Sequence, residues 1–127
     1  MRFQMPNFPC DFELPDEWLA AADMVCFTPT TTAYRSTAAA VLVPLATIEP
    51  PYRLVTRQKD WRGFNRDRLV YVFKGIVAGA EIEPVPLFKL PVTDFPHTPY
   101  RYRVLNEYHR FFASVAAGFE DLPATIS

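Results

Sequence analysis

The chain has 127 residues, half of them apolar and 21% charged, with a formal net charge of −1. That length makes one domain with a sizeable core, and the near-neutral balance is not that of a protein coating nucleic acid or an anionic membrane. No apolar run approaches the roughly 20 residues of a membrane span; the longest, Ala38 to Leu45, is broken by Pro44.

The N-terminus lacks the apolar core of a signal peptide, so a cytoplasmic protein is expected. Cys10 and Cys26 form no CxxC pair and the two histidines, His97 and His109, stand far apart. Reduced thiols are therefore expected, and a zinc site is not. Thirteen prolines are spread between the apolar runs, which predicts many short elements and sharp turns. No internal repeat or low-complexity tract is present.

In residues 1–14, Phe8 and Phe12 are the expected core anchors. Leu14 to Ala22 predicts a short helix, with Pro15, Asp16 and Glu17 suited to its first turn and Trp18, Leu19 and Ala22 to its buried side. Met24 to Phe27 reads as a short buried strand, and Ala38 to Val43 as another. The chain then turns sharply at Pro50-Pro51. Leu54 to Gly63 reads as a polar loop anchored by Trp61.

The next helix is the plainest. Asn65 is a good N-cap, apolar residues at 69, 72, 73, 76 and 77 share one face, and Gly79 supplies the stop. Gly75 inside it costs about 1 kcal/mol against Ala and points to close packing against another element. Ile82 to Leu90 reads as a strand whose prolines suit an edge or an end. Residues 91–99 form a loop, in which His97 reads as a solvated residue. Tyr102 to Leu105 is a strand, a helix follows from Asn106 to Gly118 with 108, 111, 112 and 115 on one face, and residues 121–126 close the chain as a strand. This order predicts an α+β (mixed α/β) fold, a small mixed sheet with helices packed on it.

The chemistry-bearing stretch is the turn into that last helix. Asn106 caps it, and Glu107, Tyr108 and His109 occupy its first turn. Free backbone N–H groups, the Arg110 guanidinium and a histidine there suit an anion. His109 offers a hydrogen bond or acid–base chemistry near neutral pH. Glu107 either positions a metal-bound phosphate or a hydroxyl, or serves the helix dipole and repels phosphate. A second cluster, Arg57, Lys59, Arg62, Arg66 and Arg68, is a candidate nucleic-acid or anion contact whose plainer reading is a solvated loop and helix start. No nucleophile elbow, Walker motif, HExxH or dinucleotide fingerprint is present.

Several pieces of the sequence from Val43 onward occur in an order that resembles the ParB/sulfiredoxin-like superfamily. They are Val43-Pro44-Leu45-Ala46-Thr47-Ile48 with Pro50; the helix ending at Gly79 with Ile82-Glu83-Pro84-Val85; and Tyr102-Arg103-Val104-Leu105 with Glu107 to Ala113, Gly118 and Leu122-Pro123-Ala124. The resemblance covers about the last two-thirds of the chain. It implies a single domain in which a 37–127 core carries residues 1–36 as an N-terminal extension.

It also implies a nucleotide pocket, for ATP or CTP with Mg²⁺, whose phosphates lie at the turn and meet Glu107, Tyr108, His109 and Arg110. Tyr108 stands where sulfiredoxins have their reactive cysteine, so sulfinic-acid reduction is not expected. Glu107 replaces the glycine of the turn. The chain ends just after its last strand, where partition proteins continue into a helix-turn-helix domain, so centromere-type DNA binding is not expected. Two functions follow from these features: a nucleotide- or phosphate-binding domain, and a non-catalytic interaction or self-association module. The second is motivated by Glu107, the near-neutral charge and the many aromatics (Trp18, Trp61, Phe64, Tyr100, Tyr102). A DNA-contacting accessory protein is the third and weaker alternative.

Overall fold

The computed structural model describes residues 1–7, 11–51, 63–91, 100–105 and 108–127. Two short strands, β1 (Arg2–Gln4) and β2 (Asp11–Glu13), pair antiparallel and bring Phe3 opposite Phe12. Helix α1 (Asp16–Ala21) follows, with Trp18 and Leu19 buried and Ala22 just beyond it buried too. Phe8, the other expected anchor, lies outside the described residues.

Strands β3 (Val41–Pro44), β4 (Ile48–Glu49), β5 (Val85–Lys89), β6 (Tyr102–Val104) and β7 (Asp121–Ile126) form one sheet in the order β3-β7-β5-β6-β4. β3–β7 and β5–β6 are antiparallel, while β7–β5 and β6–β4 are parallel. Helices α2 (Arg66–Ala78) and α3 (Tyr108–Ala117) pack on each other, α1 packs on α2, and α3 also meets β1 and β7. The fold is thus α+β with a mixed sheet, as the order of elements predicts.

Local chemistry explains the helix bounds. The Asn65 side chain accepts a hydrogen bond from the Arg68 backbone N–H at 3.0 Å, the N-cap geometry. At the other end Gly79 takes φ = 68°, a left-handed conformation that favours glycine. Of the expected apolar face, Leu69, Val72, Phe73 and Ile76 are buried, joined by Val70, while Val77 stays exposed. Gly75 does mark a close approach: a Cβ there would sit 3.2 Å from Cδ1 of Ile82.

Two expectations are corrected. Met24 to Phe27 is a turn, not a strand, with only Met24 deeply buried; four residues between a helix end and a polar loop find no strand to pair with among the described residues. The strand expected at 38–43 begins at Val41, and of its residues only Val43 is buried. β5 lies in the middle of the sheet, so of the two places expected for its prolines, an edge or an end, Pro86 takes the second, as the second residue of the strand. The proline fits because its carbonyl accepts from the Leu105 N–H at 3.1 Å, one residue past the end of β6. Its missing donor therefore faces the side where the ladder has already stopped.

One hydrophobic core joins the N-terminal residues to the rest: Met5, Phe12, Leu14, Trp18 and Leu19 cluster with Leu69, Phe73, Phe111, Phe112 and Leu122. Phe64 stands at its aromatic centre. Its ring lies 5.2 Å from Phe112, 6.2 Å from Phe12 and 6.2 Å from Tyr108, centroid to centroid, the tilted and edge-on geometries that rings prefer. Truncation at a fully buried ring leaves a cavity that the neighbours fill only in part. Phe64→Ala is therefore expected to cost about 3–5 kcal/mol in chemical denaturation, and exposed Tyr71→Ala no more than about 0.5 kcal/mol.

Candidate functional site

The first turn of α3 places three of the five expected site residues: Tyr108, His109 and Arg110. Asn106 and Glu107 lie outside the described residues, as do Arg57, Lys59, Arg62, Trp61 and His97. Tyr108 donates its hydroxyl proton to the Gly63 carbonyl, and its ring stacks on His109 at 4.4 Å with 25° between planes. His109 is only 3% exposed. Its Nε2 accepts the Asn65 backbone N–H at 2.9 Å, and Phe64 meets the ring edge-on at 5.9 Å. A nitrogen that accepts carries no proton, so the ring is neutral imidazole with its proton on Nδ1. Tyr108 and His109 thus fasten α3 to the 63–65 segment that starts α2.

Arg110 points the other way. Its Nη1 donates to the carbonyls of Glu83 (2.8 Å) and Pro84 (2.9 Å). Tyr34 donates its hydroxyl to the same Glu83 carbonyl at 2.8 Å. Burial pushes the Tyr34 hydroxyl well above the ordinary tyrosine range, with the neighbouring Arg110 charge opposing it. Ser36 Oγ donates to the Ile82 carbonyl at 2.6 Å, and the Ile82 N–H donates to the Arg35 carbonyl at 2.8 Å. The segment before β5 is therefore gripped from one side by residues 34–36 and from another by α3. The helix start expected to hold a ligand thus bonds, through these three side chains, to backbone groups of the protein itself.

What that grip shapes is a groove of about 800 Å³ between α2 and residues 80–83, lined by Arg68, Tyr71, Val72, Lys74, Ile82 and Arg110 among others. Arg110 and Arg68, which the sequence places in two separate candidate clusters, both line it. Arg66 does not join them; it pairs with Glu17 on α1 at 2.8 Å and lies 3.4 Å from Asp67. Lys74, Glu81 and Glu83, which line the groove as well, make no ion pair with any described residue. Tyr71 at its rim is 78% exposed.

Tyr71, Lys74 and Glu81 belong to none of the sequence motifs, and Glu83 enters only within the Ile82-Glu83-Pro84-Val85 piece, with no role assigned. One signal was present, since Tyr71 is a large aromatic off the apolar face of α2. Among the described residues no group of His, Cys, Asp and Glu is placed to hold a metal ion, and no helix is long and apolar enough to cross a membrane. Cys26 is an exposed free thiol; Cys10 lies outside the described residues. Comparison of the chain with family models, with curated proteins and with solved structures returned no match.

The role of His109 as an acceptor is separable from its bulk. His109→Phe keeps a ring among Phe64 and Tyr108 but leaves the Asn65 N–H without this acceptor, and is expected to lower the unfolding free energy by about 1–3 kcal/mol. Asn65→Ala, which removes the α2 cap instead, is expected to cost about 1 kcal/mol. Urea midpoints of the two variants against the parent protein check both values.

Proposed function

We propose that the protein is an interaction domain whose docking surface is the groove between α2 and residues 80–83. One observation carries this reading. The Tyr108, His109 and Arg110 side chains bond to backbone groups of their own chain, whereas the charged side chains of Lys74, Glu81 and Glu83 line the groove with no ion pair among the described residues. An apolar floor of Val72, Gly75 and Ile82 between a basic helix and an acidic segment suits a polypeptide surface with both apolar and charged groups. A photo-crosslinking residue at position 71 tests it in the cell. Adducts to a polypeptide are expected at 71 and not at Leu42, an exposed position of β3 away from the groove; equal or no adducts at 71 contradict the reading.

A second reading has its own support. Arg110, which the resemblance to the ParB/sulfiredoxin-like superfamily assigns to a nucleotide's phosphates, lines the same groove as Arg68 and Lys74. Under this reading the three cations hold the phosphates of ATP or CTP, with Mg²⁺ carried by the nucleotide. Isothermal calorimetry with each Mg-nucleotide separates the two. Binding weakened about tenfold by Lys74→Glu, a loss of some 1.4 kcal/mol, supports the nucleotide; absence of heat with both nucleotides rejects it.

A further inference from the structure

The two walls of the groove carry matching patterns. On α2, Arg68, Tyr71 and Lys74 are three residues apart, so they form one row on the helix surface: an exposed aromatic with a cation one turn to each side. Opposite them, Glu81 and Glu83 are exposed and flank Ile82, which is half-buried and turned onto Gly75. A carboxylate thus stands to each side of an aliphatic residue. Within one chain these walls do not close on each other, since neither Glu81 nor Glu83 forms an ion pair with a described residue.

Resting on the reading of the groove as a docking surface, we propose that its occupant is a second copy of this chain, related by a two-fold axis. A two-fold applies every contact twice, so it requires a surface that complements itself. The row Arg68–Tyr71–Lys74 of one copy complements Glu81–Ile82–Glu83 of the other, and the reverse holds at the same time. Each Tyr71 ring lies on the other copy's floor of Val72, Gly75 and Ile82, with its hydroxyl toward the wet rim. Stacking the basic rows on each other would set cation against cation, so charge selects the crossed register. The formal net charge of −1 opposes the approach of two copies only weakly. Exposed ion pairs of this kind are screened by salt, and the contact is accordingly a reversible, salt-sensitive dimer.

Sedimentation velocity on the full chain across a micromolar concentration series is the test. The expected result is a shift from one to two copies that weakens at high salt and weakens about tenfold in Tyr71→Ala, in Lys74→Glu and in the double variant Glu81→Lys/Glu83→Lys. Mixing the double variant Arg68→Glu/Lys74→Glu with Glu81→Lys/Glu83→Lys pairs opposite charges at both symmetry-related contacts, so the mixture is expected to associate more tightly than either double variant alone. Circular dichroism of the variants, all at exposed positions, checks that they are folded. A strict monomer at every concentration, or a dimer indifferent to these substitutions, overturns the proposal. If the monomer nevertheless crosslinks through position 71 to a different polypeptide, the groove remains a docking surface and only the second copy is rejected. If it crosslinks to nothing, both are rejected.

Discussion

A hydrogen bond from the Asn65 backbone N–H to Nε2 of His109 ties the start of α2 to the first turn of α3, residues 44 apart in the chain. Its consequences reach in several directions. Asn65 also caps α2 through its side chain, so the residue that begins one helix is held in place by the next. Phe64, immediately before it, is fully buried against His109 and Phe112. Gly63, one residue earlier, accepts the Tyr108 hydroxyl proton. Three consecutive residues are therefore locked to two consecutive residues of α3, which fixes how the helices pack. The buried imidazole supplies through Nε2 the acceptor that the Asn65 backbone donor needs.

That lock decides what the helix start can offer. With Tyr108 and His109 turned inward, Arg110 falls on the opposite side of α3 and reaches the carbonyls of Glu83 and Pro84. Residues 34–36 take hold of the same segment from outside. The stretch before β5 becomes a rigid wall, Gly75 lets Ile82 approach α2 closely, and the groove follows from these two constraints. Its charged rim is then the consequence of the helical spacing of Arg68, Tyr71 and Lys74 against a short segment with a carboxylate to each side of Ile82.

Features set by neighbours in the chain were readable from residue types. Asn65 and Gly79 bound α2 because a side-chain acceptor and a left-handed glycine act within one turn, and Leu69, Val72, Phe73 and Ile76 announce its buried face by their spacing. Gly75 was recognisable as a close-packing point, though not the identity of Ile82 as its partner. Features set across the fold were not readable. Pro86 in the central strand is acceptable only because β6 stops at Val104, a register fact invisible in a proline's local preference. His109 beside Arg110 looks like an anion-binding pair until Asn65 and Glu83 arrive from 44 and 27 residues away. The groove needs α2, residues 80–83 and α3 together, so no single window of sequence contains it.

The protonation pattern of the His109 ring distinguishes an internal lock from a ligand site, because a structural acceptor and a ligand donor require opposite states of Nε2. Long-range ¹H–¹⁵N correlation spectra of the folded protein near neutral pH report it. The expected result is a neutral ring protonated at Nδ1 with a bare, hydrogen-bonded Nε2, and no change in either nitrogen when Mg-ATP or Mg-CTP is added. A proton on Nε2, or ring signals that move with nucleotide, would contradict it.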